Sequence, residues 1–129
     1  RSAYDVELID RADNTWLVVL QQTVHHMQNF HPGEKRTCGI LVSPAVMGDL
    51  QAVMDTTILD RTVLDAAVSL VQDAKGLEFD YVIIADPVGM VEASPQGLND
   101  LFVAMTRATQ ALAIVHDGAV PYCLSDLVE

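Results

Sequence analysis

Apolar residues recur along this chain in two distinct rhythms. Trp16, Leu20, Val24 and Met27 fall three or four positions apart, the spacing of one helical face. They predict an amphipathic helix over Thr15 to Phe30. Asp13 and Asn14 stand just ahead of it with N-cap oxygens, and His31-Pro32-Gly33 ends it, because Pro cannot continue the hydrogen-bond ladder and Gly permits the exit. The run Thr37 to Ser43 is short, apolar and closed by Pro44, the mark of a buried strand. Val46, Leu50, Val53 and Met54 predict a second helix over Val46 to Met54.

Strand rhythm dominates the second half. Ala66 to Val71 predicts a strand, and a charged turn over Gln72 to Asp80 follows. Tyr81 to Ala85 (YVIIA) is unbroken and mostly β-branched, as suits a parallel strand covered on both faces. Asp86 to Gly97 reads as a loop rich in Pro and Gly, Leu98 to Arg107 as a helix, and Ala111 to His116 as a last strand. Pro121 to Glu129 reads as a tail or short closing helix. Strands alternate with helices, so the expected fold class is α/β, a mainly parallel sheet with flanking helices. No repeat or internal linker divides residues 1–129, which therefore form one expected domain.

Composition narrows the function. Half of the 129 residues are hydrophobic, enough for a core, yet no apolar run has membrane-spanning length. No signal-peptide pattern opens the chain, so the expected compartment is the cytoplasm. The start at Arg1-Ser2, without Met, reads as a piece of a longer protein. Cys38 and Cys123 are too few for a disulfide scaffold and are expected to be reduced. Seven Lys and Arg face 18 Asp and Glu, for a net charge of -11. A domain that grips nucleic acid by itself usually carries a basic face, so strong independent binding is not expected here.

Two segments could carry chemistry. In Ala74 to Asp80, Gly76 allows a tight turn and close approach of a phosphate oxygen to its N–H. Lys75 adds a positive charge, and Glu78 is an acceptor suited to a hydroxyl. Leu77 and Phe79 are expected to anchor the turn in the core, at the sheet edge where α/β folds bind ligands. An ordinary charged turn fits the same residues. On a helical wheel Leu98, Leu101, Phe102, Met105 and Thr109 share one arc, with Arg107 nearly opposite. Arg107 would then project outward from a buried helix, as an arginine finger requires. A solvated Arg at a helix C-terminus fits equally.

Lys75 to Ile84 (KGLEFDYVII) resembles motif V of the UvrD/Rep/PcrA superfamily 1 helicases, and Leu101 to Leu112 (LFVAMTRATQAL) resembles their motif VI. The pair occurs in the expected order and setting, over about the C-terminal half of the chain. The resemblance implies a second, C-terminal RecA-like domain (P-loop NTPase-like in fold) that completes an ATP–Mg²⁺ site held mainly by an N-terminal RecA-like partner domain of the same protein. It implies that Arg107 reaches the γ-phosphate, that Lys75 and the Gly76 backbone lie near it, and that Glu78 accepts from the ribose.

Departures from the pattern refine this. Where DNA helicases of this family carry a Thr and a His that reach the DNA strand, this chain has Leu70 and Gln72. With the acidic charge and the Asp86-Pro87 to Gly97 loop, this resembles the HelD/HelR branch of helicase-like ATPases that act on RNA polymerase. The expected partner in the complete protein is therefore DNA or RNA polymerase. An alternative is a protein-binding module whose ATP contacts have lapsed. The chain has no G-x-x-x-x-G-K-[ST] loop of its own, so by itself it is not expected to hydrolyse ATP. Asp86 lacks that context and reads as a strand-end residue. His25 and His26 project about 100° apart on a helix and, with His31 and His116, read as surface or partly buried histidines. Ser43 and Ser94 lack a nucleophile elbow, and Cys38 reads as a small core residue.

Overall fold

The computed structural model describes residues 5–29, 37–53, 66–74 and 76–118. The strands are β1 (Asp5–Asp10), β2 (Cys38–Val42), β3 (Ala66–Leu70), β4 (Phe79–Ala85) and β5 (Ala108–His116). They lie side by side in the order β1-β5-β4-β2-β3, every pair parallel. Between them run α1 (Trp16–Gln28), α2 (Pro44–Val53), a 3₁₀ turn (Val71–Ala74), α3 (Pro87–Glu92) and α4 (Gly97–Met105). The fold is α/β, with a five-stranded parallel sheet and helices on both faces, as the alternation of apolar rhythms predicts.

The period-2 geometry of the strands sorts the core into two layers. Ile40, Val42, Tyr81, Ile83, Ala113 and Val115 face α1 and α2, meeting Leu20, Met27, Val46 and Leu50. Leu41, Val82, Ile84, Leu112 and Ile114 face the other way, towards Met90, Leu101 and Ala104. Residues 81–85 and 111–115 are all buried, which explains why these strands read as unbroken apolar runs.

The connections place the functional edges. From the carboxyl end of β2 the chain leaves into α2 on one face. From the carboxyl end of β4 it leaves into α3 and α4 on the other. The crevice between the ends of β2 and β4 is thus a topological switch point. Ser43 and Asp86 sit there. Ser43 Oγ donates to Asp86 Oδ2 at 2.7 Å and accepts from Val46 N at 3.2 Å, capping α2. Asp86 Oδ1 accepts from Gly89 N at 3.0 Å, capping α3. To do this Asp86 adopts φ 66, a left-handed conformation that costs a non-glycine residue of order 1 kcal/mol. One carboxylate so joins two helix starts. We expect Asp86→Ala to lower stability by about 2–3 kcal/mol, since a buried hydroxyl and a backbone N–H both lose their acceptor. Asp86→Asn, which retains one acceptor oxygen, should cost less in chemical denaturation.

A matching lock closes the far end of the sheet. Asp10 accepts from Ala12 N at 3.0 Å and Gly118 N at 3.2 Å, and these two bonds hold its carboxyl below the usual range. Arg11 lies over the Trp16 ring, 4.8 Å from its centroid, and pairs with Asp117 at 3.1 Å.

Cys38 is buried in β2, and burial pushes its thiol up to about 12. Desolvation penalises only the thiolate. The folded pKa exceeds the ordinary value of about 8.5, so the folded state holds this proton more tightly than the unfolded one. This group's contribution is intact below about pH 8 and is lost as pH climbs through about 8.5 towards 12. Denaturation midpoints measured from pH 8 to 11 should fall less steeply in Cys38→Ala than in the parent, whatever the baseline cost of the truncation.

Several sequence expectations are corrected. Strand β1 was not among the predicted elements, although Val6 and Leu8 pack against the core. The Asp86–Gly97 segment, expected as a loop, contains α3, started by Pro87 in the first turn and the Asp86 cap. Thr15, rather than Asp13 or Asn14, caps α1, its hydroxyl accepting from Val18 N at 3.2 Å. Helix α1 ends at Gln28 with Asn29 as its C-cap, and α2 begins earlier than expected, at Pro44. The expectations for His31-Pro32-Gly33, Met54 and Pro121–Glu129 lie outside the described residues. No helix among the described residues is long and apolar enough to cross a membrane.

Candidate functional site

Both singled-out segments arrive at the amino edge of the sheet. Gly76, Leu77 and Glu78 lead directly into β4, and Thr106-Arg107 lead directly into β5, its neighbour. The turn was expected where α/β folds usually bind ligands, at the carboxyl ends of strands. It lies at the opposite edge, because the 3₁₀ turn after β3 carries the chain back before β4 starts. Gly76 has φ 85, which an L-side chain rarely tolerates. The space where its side chain would be is open, so its backbone is exposed to an incoming group. Lys75 lies outside the described residues.

Arg107 meets this turn. Its Nη1 donates to Leu77 O at 3.4 Å and its Nη2 to Thr106 Oγ at 3.2 Å. Nε is buried and has no hydrogen-bond partner among the described residues. Backbone pairing reinforces the contact: Phe79 N donates to Arg107 O at 2.8 Å. The structure therefore brings Arg107 and the Gly76–Glu78 turn together, with Glu78 exposed beside them.

The helical-wheel placement of Arg107 does not hold. Helix α4 ends at Met105, where Thr106 Oγ turns back to donate to Val103 O at 2.7 Å. Arg107 sits in the following turn, half-buried, and Thr109 is already in β5. The buried face of α4 is Gly97, Leu101 and Ala104, while Leu98 and Phe102 are 45% and 46% exposed. A nine-residue helix that stops this early leaves Arg107 in the turn between α4 and β5, its N–H donating to Ala104 O at 3.1 Å and its carbonyl accepting from Phe79 N. Leu77, expected as a core anchor, is 51% exposed, and Phe79 alone packs inward.

Sequence reasoning missed the supports of this edge. Asp80 Oδ2 accepts from Thr37 N at 3.0 Å, and Asp80 N donates to Thr37 Oγ1 at 2.9 Å. Thr109 Oγ1 reaches Asp80 Oδ1 at 3.5 Å and Phe79 O at 3.4 Å. These bonds tie the starts of β2, β4 and β5 into one rim. The only signal in the sequence was a polar residue at the mouth of each strand.

The other candidates lie elsewhere. His25 and His26 are exposed on α1, and His26 Nε2 is 2.9 Å from Glu7 Oε1. His116 Nδ1 is buried at the end of β5 and has no partner among the described residues. Ser43 is fully buried and committed to Asp86. Leu70 and Gln72 line a cavity of about 390 Å³ at the carboxyl edge, on the other side of the sheet from Arg107.

The class defined by this architecture is the parallel α/β domain with helices on both faces, its two chemical segments sharing one rim. Within that class, residues 65–115 match the UvrD-like helicase C-terminal domain family, a stretch running from the start of β3 almost to the end of β5. The structure is similar to the crystal structure of the C-terminal domain of a possible DNA helicase from Lactobacillus plantarum WCFS1. That likeness has a TM-score of 0.58 at 20% identity, over 96% of this chain and 80% of that one. At this identity it speaks for the fold. No curated protein matches. Sequence and fold are thus both similar to helicase C-terminal domains, and neither likeness separates strand-tracking relatives from polymerase-acting ones.

Proposed function

We propose that this chain is the second RecA-like domain of a superfamily 1 helicase or translocase, which completes an ATP site begun by an N-terminal motor domain of the same protein. The observation that carries this reading is the meeting of Arg107 with the Gly76–Glu78 turn at one rim. The residues fit a phosphate: the guanidinium contacts are 3.2 and 3.4 Å, its Nε has no partner among the described residues, and the Gly76 backbone is open. ATP with Mg²⁺, when bound, supplies the phosphoanhydride bond and the charge that builds on the γ-phosphoryl group during transfer.

In this reading Arg107 places fixed positive charge where that negative charge develops. Thr106 and the Leu77 carbonyl hold the guanidinium ready, reducing the entropy lost on engagement. The Gly76 N–H and Lys75 bear on the same phosphate, and Glu78 accepts from a ribose hydroxyl. Opening and closing of the two-domain cleft then follow nucleotide state. Leu70 and Gln72, which offer less to a phosphodiester than Thr and His, favour the branch that acts on RNA polymerase over one that tracks a DNA strand.

Nucleotide binding by the complete protein tests this. A fluorescent ATP analogue should bind with Mg²⁺, and Glu78→Ala should weaken it several-fold, as expected for one charge-assisted hydrogen bond. A complete protein that binds no nucleotide would instead be a protein-binding module whose ATP contacts have lapsed.

A further inference from the structure

The cavity at the carboxyl edge is built where parallel α/β sheets take ligands, beside the switch point between β2 and β4. Its walls include Val42, Leu70 and Met90, and its polar groups include Gln72, Gln96 and Asp100. Among the described residues that line it there is no Lys, Arg or His. Exposed Asp73 and Glu92 flank lining residues on the 3₁₀ turn and on α3. Arg11, at the same edge, is three strands away and is engaged with Trp16 and Asp117. A phosphodiester strand laid here would meet the Asp100 carboxylate with no cation among the described lining residues, the reverse of what displaces counterions from phosphates.

We propose that this groove takes a protein segment carrying a Lys or Arg beside apolar side chains, and not a nucleic-acid strand. Each part of such a segment has a counterpart. Asp100 offers the groove's carboxylate to the cation, and Asp73 and Glu92 raise the local negative field. Val42, Leu70 and Met90 receive the apolar side chains. Gln72 and Gln96 can each donate to and accept from a peptide backbone. Strand β3 ends at Leu70 on the groove wall, and among the described strands it pairs with β2 alone. Among the described residues its outer edge is unpaired, which leaves main-chain groups for strand addition. The groove lies at the opposite edge of the sheet from Arg107, so its occupancy and the nucleotide reading stand or fall separately.

Fluorescence anisotropy on the complete protein decides the question. The probes are a labelled Ser/Gly decapeptide with a Leu-Lys-Val centre, its Leu-Glu-Val counterpart, and single-stranded dT20. The lysine peptide should bind saturably, with the glutamate peptide and dT20 at least tenfold weaker. Asp100→Lys should weaken the lysine peptide at least tenfold, and Glu7→Lys, on remote β1, less than twofold. Ser94→Trp fills the groove without changing charge and should also abolish binding, which covers the case in which Asp100→Lys disturbs the first turn of α4. Equal losses from Asp100→Lys and Glu7→Lys would mean general attraction to an acidic chain and overturn the proposal. So would the absence of saturable binding, or binding of dT20 that Ser94→Trp removes.

Discussion

Arg107→Ala in the complete protein should lower the ATP hydrolysis rate by about 10³-fold or more, while nucleotide affinity changes little. The split follows from timing. A guanidinium aimed at charge that appears only during phosphoryl transfer stabilises the transition state more than the bound substrate. Stability should barely move. The Arg107 guanidinium makes hydrogen bonds at 3.4 and 3.2 Å, and its buried Nε has no partner among the described residues. Removing it loses little and relieves that desolvation, so the unfolding free energy should stay within the range of an ordinary surface change, about ±0.5 kcal/mol. Arg107→Lys keeps the charge but not the planar fork, and should not restore the rate. Single-turnover hydrolysis and a thermal melt on the same preparations read both quantities. Near-normal hydrolysis in Arg107→Ala would remove the arginine-finger role.

Gly97→Ala should be the most damaging single methyl in the fold. Gly97 opens α4 where that helix turns back against α3, and it is buried. A side-chain carbon there would collide with the carbonyl oxygens of Met90 and Val91 and lie 2.6 Å from the Val91 carbonyl carbon. These are backbone atoms of α3, so no side chain can swing aside. The helices must separate, and Met90 and Leu101, which pack in the same core layer, separate with them. We expect a loss of about 3 kcal/mol, at the upper end for overpacking, and a thermal midpoint lower by roughly 10 °C. Gly76→Ala serves as the contrast: its side chain would meet nothing, and only the φ of 85 is penalised, by about 1 kcal/mol. A Gly97→Ala chain that melts with the parent would show that α3 and α4 are not held together as described.

Much of this was legible in the residues. The α1 face of Trp16, Leu20, Val24 and Met27 is buried as its spacing predicts, because helical periodicity repeats often enough there to define a face. YVIIA and ALAIVH are buried parallel strands, since only a strand covered on both sides is apolar at every position. Lys75, Gly76, Glu78 and Arg107 were singled out by chemistry and motif resemblance, and at the described positions the structure places Arg107 against the turn. Shorter elements were less readable. Helix α3 has six residues, too few for a periodic signal, and depends on a cap from Asp86 that also binds Ser43, 43 positions earlier. Helix α4 has nine, so a wheel drawn through to Thr109 blended helix with strand and turned its face.

Sequence alone determined the class of fold and the two covered strands at its centre, and it singled out the residues proposed to meet a phosphate, because each is written in local spacing and side-chain chemistry. Only the tertiary structure decided which sheet edge those residues occupy, that Arg107 sits in the turn between α4 and β5, and that a groove with no cation among its described lining residues opens at the opposite edge. Those depend on strand order and on where each connection leaves the sheet. Neither property is carried by neighbouring residues; both arise from contacts between segments far apart in the chain.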